Sequence, residues 1–119
     1  MLATFCAATA INVQSMFRGD AMHCGTYAGP APRQFHRVKW KFPAGDRVIS
    51  SPVFKDNVIC FAGDDGNVYA VDAATGRQIW KRATNGPVPA TPAIADGMLY
   101  VGSYHGKFYA FNAQTGALK

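Results

Sequence analysis

The chain has 119 residues, the length of one small domain, and its 49% hydrophobic content places it with globular rather than disordered chains. Its formal charge of +5 is diffuse: residues 1–40 carry four basic and one acidic side chain, 41–80 four and five, 81–119 four and one. With no basic block or helical stripe, composition argues against nucleic-acid binding, and because all seven acidic residues are aspartates, no site that needs glutamate can be built from these residues alone.

In chain order, residues 1–15 form an apolar N-terminal segment in which Ala8-Thr9-Ala10 resembles a signal-peptidase site. No Lys or Arg precedes Arg18, so the segment reads as a signal-peptide remnant without its positive start. The run is too short for a membrane-spanning helix. Residues 16–34 are an irregular lead-in rich in Gly and Pro from Gly25 to Pro32. Its Arg18-Gly19-Asp20 tripeptide is too short to identify an adhesion site.

From residue 35 the chain reads as short strands: His36 to Lys41, Val48 to Phe54, Val58 to Ala62, Asn67 to Val71, Gln78 to Arg82, Ala90 to Ile94, Met98 to Gly102 and Lys107 to Phe111. The joints are Asp56-Asn57, Asp65-Gly66, Thr75-Gly76, Asp96-Gly97, His105-Gly106 and Thr115-Gly116, pairs that supply the positive φ of tight turns. The three cysteines, Cys6, Cys24 and Cys60, are odd in number and have no CxxC spacing, so they frame neither a disulfide network nor a zinc site. Cys60, within Val58-Ile59-Cys60-Phe61, reads as a small buried apolar side chain.

A shift of 40 residues lays Ala70 to Trp80 on Ala110 to Lys119, and the second copy reaches Lys119 one residue before its tryptophan, as in a repeat array cut short. The same shift pairs Trp40-Lys41 with Trp80-Lys81, Ser51-Pro52 with Thr91-Pro92, Asp56 with Asp96, Gly66 with Gly106 and Tyr69-Ala70 with Tyr109-Ala110. A fixed period of this size is the mark of a propeller or solenoid. Val68 to Val71 and Phe108 to Phe111 are apolar on both alternating faces, so these strands belong to sheets stacked between neighbours rather than to a sandwich with one wet face. The expected fold is therefore all-β, made of β-propeller blades of four antiparallel strands. The phasing is a blade strand in 35–42, a full blade in 47–83 and a partial blade in 88–119. This is two blades' worth of strands, short of a closed ring.

The A-x-D-x-x-x-G-x-x-x-W pattern of Ala70, Asp72, Gly76 and Trp80 resembles the tryptophan-docking repeat of the PQQ (pyrroloquinoline quinone) enzyme-like β-propellers. Ala110, Asn112 and Gly116 follow it, with Asn in place of Asp, and Met16 to His23 resembles the lead-in that precedes the first blade in this group. The resemblance implies structural docking positions at Trp40, Ala70, Asp72, Gly76, Trp80, Ala110, Asn112 and Gly116. In physical terms a tryptophan can stack over the loop of the neighbouring blade, the Asp can accept backbone N–H groups within its turn, and the Gly can supply a left-handed residue.

Quinoprotein dehydrogenases of this fold use a glutamate among their calcium ligands, an aspartate base and often adjacent cysteines. This chain has no glutamate and no Cys-Cys pair, so the resemblance carries over no catalytic, cofactor or metal residue. Asp64-Asp65-Gly66-Asn67 reads as a hairpin turn rather than a calcium loop, because the repeat places Tyr104 and His105 there. His23, His36 and His105 lack metal spacing, Ser50-Ser51-Pro52 lacks a nucleophile elbow, and Tyr69, Tyr100, Tyr109, Phe108 and Phe111 read as blade packing.

The leading expectation is a noncatalytic module that binds or scaffolds protein partners in the periplasm or outside the cell, with no cofactor and no nucleic acid. The competing one is the N-terminal piece of a PQQ- and calcium-dependent dehydrogenase whose catalytic residues lie elsewhere. A third is a ring assembled from several copies, since closure needs further blades or self-association.

Overall fold

The computed structural model describes residues 16–18, 22 and 38–119. The apolar segment 1–15 and most of the lead-in, with Cys6, Cys24, His23 and His36, lie outside the described residues. The described residues form seven strands: β1 (Val53–Lys55), β2 (Val58–Ala62), β3 (Asn67–Asp72), β4 (Gln78–Ala83), β5 (Ala93–Ala95), β6 (Met98–Gly102) and β7 (Phe108–Asn112). They make a four-stranded sheet in the order β1-β2-β3-β4 and a three-stranded sheet in the order β5-β6-β7, every neighbour antiparallel.

The 40-residue period survives into the registers. Cys60 faces Ala70 and Tyr100 faces Ala110; Ile59 faces Val71 and Leu99 faces Phe111. The first hairpin of each sheet turns on two left-handed residues, Asp56 and Asn57 at φ 49° and 64° and Asp96 and Gly97 at 49° and 75°. Positive φ at both central positions is the type I′ geometry, whose twist matches that of paired strands.

The strands are buried as their two-sided apolar pattern requires. Val58, Cys60, Ala62, Val68 and Ala70 on one face of the first sheet share a core with Ile94, Leu99, Val101 and Phe111 of the second, closed by Trp80 and Val88. Its other face, Phe61, Tyr69 and Val71, lies under Trp40, Phe42 and Ala44. Phe42 meets Phe61 and Tyr69 edge-on, at centroid distances of 5.6 and 5.4 Å. The outward face of the second sheet differs: Phe108 is 73% exposed and stacks on Tyr100.

Three expectations are corrected. The strands expected over Val48 to Phe54 and Ala90 to Ile94 contract to Val53–Lys55 and Ala93–Ala95. Pro52 and Pro92 have no N–H for a ladder, and before Pro52 the Ser50 hydroxyl takes over the pairing, donating to Ala62 O at 2.8 Å and accepting from Ala62 N at 3.1 Å. The blade strand expected within 35–42 is not a strand over its described part, residues 38–42, which pair with no strand among the described residues. A fourth strand of the second sheet is present only as a bridge between Phe111 and Leu118.

Candidate functional site

The residues singled out by the repeat come together at two seams. At the first, the Trp40 indole Nε1–H donates to Ala73 O at 3.0 Å; at the second, Trp80 Nε1–H donates to Ala113 O at 2.9 Å. Each ring lies on a glycine of the following turn: a Cβ on Gly76 would stand 2.5 Å from Trp40 Cδ2, and one on Gly116 2.7 Å from Trp80 Cδ2. Both glycines have positive φ, 71° and 69°. Glycine is thus required twice over at each seam, for the backbone conformation and for the space under the indole. Ala70 and Ala110 are small residues of the middle strands, and Ala70 stands opposite Trp80 in the ladder.

Each turn is tied by one side-chain oxygen. Asp72 Oδ1 accepts from Thr75 N at 2.7 Å and from the Thr75 hydroxyl at 2.8 Å; Asn112 Oδ1 accepts from Thr115 N at 2.9 Å and the Thr115 hydroxyl at 3.0 Å. The second carboxylate oxygen of Asp72 accepts from Asn57 Nδ2 at 2.7 Å. In the next repeat both partners change together, Asn57 to Gly97 and Asp72 to Asn112, so no donor is left facing an amide. The Thr75 hydroxyl and backbone N–H, partly opposed by desolvation and aided by Ala74 N–H and Asn57, hold the Asp72 carboxyl below its usual range.

On the opposite edge, the loops after β2 and β4 converge. Asp64 pairs with Arg47 at 3.0 Å, while Asp65 accepts from the Tyr69 hydroxyl and from Asn67 Nδ2 at 2.8 Å. Burial pushes the Asp65 carboxyl up, but the Tyr69 and Asn67 hydrogen bonds, with nearby Lys81, outweigh it and hold the group below its usual range. Lys81 Nζ lies 5.1 Å above the Tyr69 ring, a cation–π distance. The Tyr69 and Tyr109 hydroxyls accept from the backbone N–H of Gly45 at 3.3 Å and Asn85 at 3.2 Å. Between these loops opens a shallow cleft of about 420 Å³ lined by Asp46, Arg47, Ile49, Asp64, Pro87, Pro89 and Tyr104.

The residues set aside as structural act as structure. Ser50 is bonded to backbone, Cys60 is fully buried, and burial pushes its thiol up to about 12. His105 lies across Gly86, where a Cβ would come within 1.9 Å of its ring. The threonines at 75 and 115 and the tyrosine hydroxyls at 69 and 109 were missed as seam and loop anchors, although their recurrence at the 40-residue spacing marks them. Among the described residues no three His, Cys, Asp or Glu side chains converge, and both loop aspartates are engaged by protein donors.

Comparison with known proteins agrees with the repeat. Residues 33–119 match the family model PQQ_2, described as "Outer membrane protein assembly factor BamB". A curated protein of that name from Nitrosomonas eutropha is 31% identical over 78 residues, 66% of this chain and 19% of that protein. The crystal structure of BamB from Moraxella catarrhalis superposes with a TM-score of 0.63 at 21% identity, over 69% of this chain and 25% of that one. A europium-containing methanol dehydrogenase superposes with a TM-score of 0.62 at 18% identity, over 69% of this chain and 18% of that one. The chain thus spans about a fifth of the length of the first curated relative it matches. On the match over residues 33–119, it belongs to the PQQ_2 family of β-propeller repeats.

Proposed function

We propose that this segment is a noncatalytic propeller module that binds a protein partner in the periplasm or elsewhere in the bacterial envelope, with Trp40, Trp80 and their turns as tryptophan-docking elements that hold its loops in place. The observation that carries the reading is the cleft between the loops. Tyr104 is 78% exposed, and the Arg47 side chain 77% exposed, beside Ile49, Pro87 and Pro89. Tyr and Arg, here beside exposed apolar side chains, are the residue types on which protein interfaces concentrate their binding energy. The carboxylates that chemistry would draw on are instead occupied in the turns: Asp72 by Thr75 and Asn57, Asp65 by Tyr69 and Asn67, Asp64 by Arg47.

The reading is tested by placing a photo-crosslinking amino acid at Tyr104 in bacterial cells and, as a control, at Thr75 on the opposite edge. A discrete crosslinked protein at Tyr104 that is lost on Arg47→Glu is expected. Equal crosslinking at both positions, or none at Tyr104, contradicts it. In a parallel test, the chain mixed with PQQ and calcium leaves the quinone absorbance unperturbed; a stoichiometric complex would restore the dehydrogenase reading.

A further inference from the structure

β4 is the last strand of the first sheet, and its outer side has no strand among the described residues. The phase of the ladder decides which of its backbone groups face outward. Thr84 N donates to Gly66 O at 2.7 Å, and from that bonded pair the two kinds of antiparallel pair alternate along the strand. Val68 with Arg82 and Ala70 with Trp80 are hydrogen-bonded pairs, whereas Asn67 with Ala83 and Tyr69 with Lys81 are not. The N–H and C=O groups of Lys81 and Ala83 therefore point away from β3. On that outer side Lys81 O accepts from Arg82 Nη1 at 3.1 Å.

The side chains beside these groups are cationic. Lys81 and Arg82 are exposed, Ile79 is 44% exposed, and neither cation forms an ion pair among the described residues. Lys81 lies over the Tyr69 ring with Asp65 nearby, and Arg82 Nε donates to Gly116 O at 2.7 Å, so both are held at the edge. The described aspartates, Asp46, Asp56, Asp64, Asp65, Asp72 and Asp96, all stand in loops, turns or at strand ends. Charge that is diffuse along the sequence is thus sorted by the fold, with cations and no carboxylate on β4.

We infer that the outer edge of β4 binds an extended acidic segment of a partner protein, which adds to the sheet as a further strand. The outward N–H and C=O groups offer main-chain hydrogen bonds at strand spacing, as in β-strand addition. Lys81 and Arg82 are adjacent, so their side chains leave opposite faces of the sheet, Lys81 toward Tyr69 and Arg82 toward Gly116. A segment with carboxylates at successive positions meets both, and an aliphatic side chain near them covers Ile79. The same charges reject the edge's own kind. A second β4 would bring Lys81 and Arg82 against Lys81 and Arg82, the arrangement by which natural edge strands avoid pairing with themselves. An anionic membrane surface would answer the cations but offers no ladder to Lys81 and Ala83.

The test titrates the whole 119-residue chain into a fluorescent peptide of glutamate and valine, read by anisotropy, with phosphatidylglycerol vesicles as the comparison. Saturable peptide binding that weakens as salt rises is expected, because the cations are exposed. Ala83→Pro removes one outward N–H and no bond to β3, so it should weaken binding about fivefold or more with the folded circular dichroism unchanged. Lys81→Glu should weaken it about tenfold or more. The same peptide N-methylated along its backbone keeps its charge but cannot form a ladder, and should also bind about tenfold or more weakly. No binding of the peptide, equal binding of its N-methylated form, binding untouched by both variants, or binding to the vesicles alone overturns the inference, whatever binds at the loop cleft.

Discussion

The two tryptophan seams make the same contact in different surroundings. Trp80 belongs to β4, stands in a ladder opposite Ala70 and is 5% exposed, whereas Trp40 sits on a segment without a ladder and is only half-buried. Their indole hydrogen bonds nonetheless differ by only 0.1 Å, 3.0 against 2.9 Å. The docking geometry is therefore set by the turn that receives the ring, through its glycine and its carbonyl, and not by the strand that delivers it. What the ladder adds is burial.

The largest expected effect breaks this comparison by removing the rings. Trp80→Ala should lower unfolding free energy by about 3–5 kcal/mol, as for large aromatic truncations in cores. Trp40→Ala should cost about 2 kcal/mol, because less apolar surface is withdrawn from water. Urea denaturation of the two variants checks the order; equal losses would mean that the ladder adds nothing.

Next come the glycines beneath the rings. Gly76→Ala and Gly116→Ala each introduce a left-handed alanine and a Cβ that the indole must yield to, and should each cost about 1–3 kcal/mol. A larger loss at Gly116 than at Gly76 is expected, since the more buried Trp80 has less room to move. Thermal melts of the two variants measure it.

A smaller effect separates the turns by pH. The folded pKa of Asp72 is depressed, so its contribution is fully present above the ordinary carboxylate value of about 4 and is lost as pH falls through the lower, folded value. Asn112 has no proton to bind. Amide exchange near pH 3 should thus show the Thr75 turn loosening before the Thr115 turn, and Asn112→Asp should make the two alike. The least effect is expected at alkaline pH. The Cys60 thiol is raised to about 12 when folded, so the unfolded chain ionises first and stability should decline gently above about pH 8.5. Cys60→Ala should remove that slope, and in the native chain the thiol should resist a disulfide reagent at neutral pH.

Much of the fold was legible because it is repetitive. The Asp-Asn and Asp-Gly turns, the two-sided apolar run Val68 to Val71 and the 40-residue spacing each pointed to stacked antiparallel sheets, and the described residues form one of four strands and one of three that share a core. The misread segments are those whose state depends on a partner at long range. Residues 38–42 have strand composition, but composition cannot supply a neighbouring ladder. Val48 and Ile49 open an expected strand, yet Pro52 and the Ser50 hydroxyl divert the pairing. At the seams, Trp, Gly and Asp were legible from the motif, while Thr75 and Thr115, which bond the Asp72 and Asn112 side-chain oxygens within the turn, and the tyrosine hydroxyls, which accept from backbone N–H groups 24 residues away, were not. The loop cleft joins residues more than 50 positions apart, Asp46 and Tyr104 among them, and no local pattern announces it.

The central claim, that the ring of one repeat and the turn of the next act as one unit, is tested most directly by a double-mutant cycle at Trp80 and Gly116. If the indole rests on that glycine, Gly116→Ala should cost little once Trp80→Ala has removed the ring, giving a coupling of about 1 kcal/mol or more. Additive losses would contradict the account.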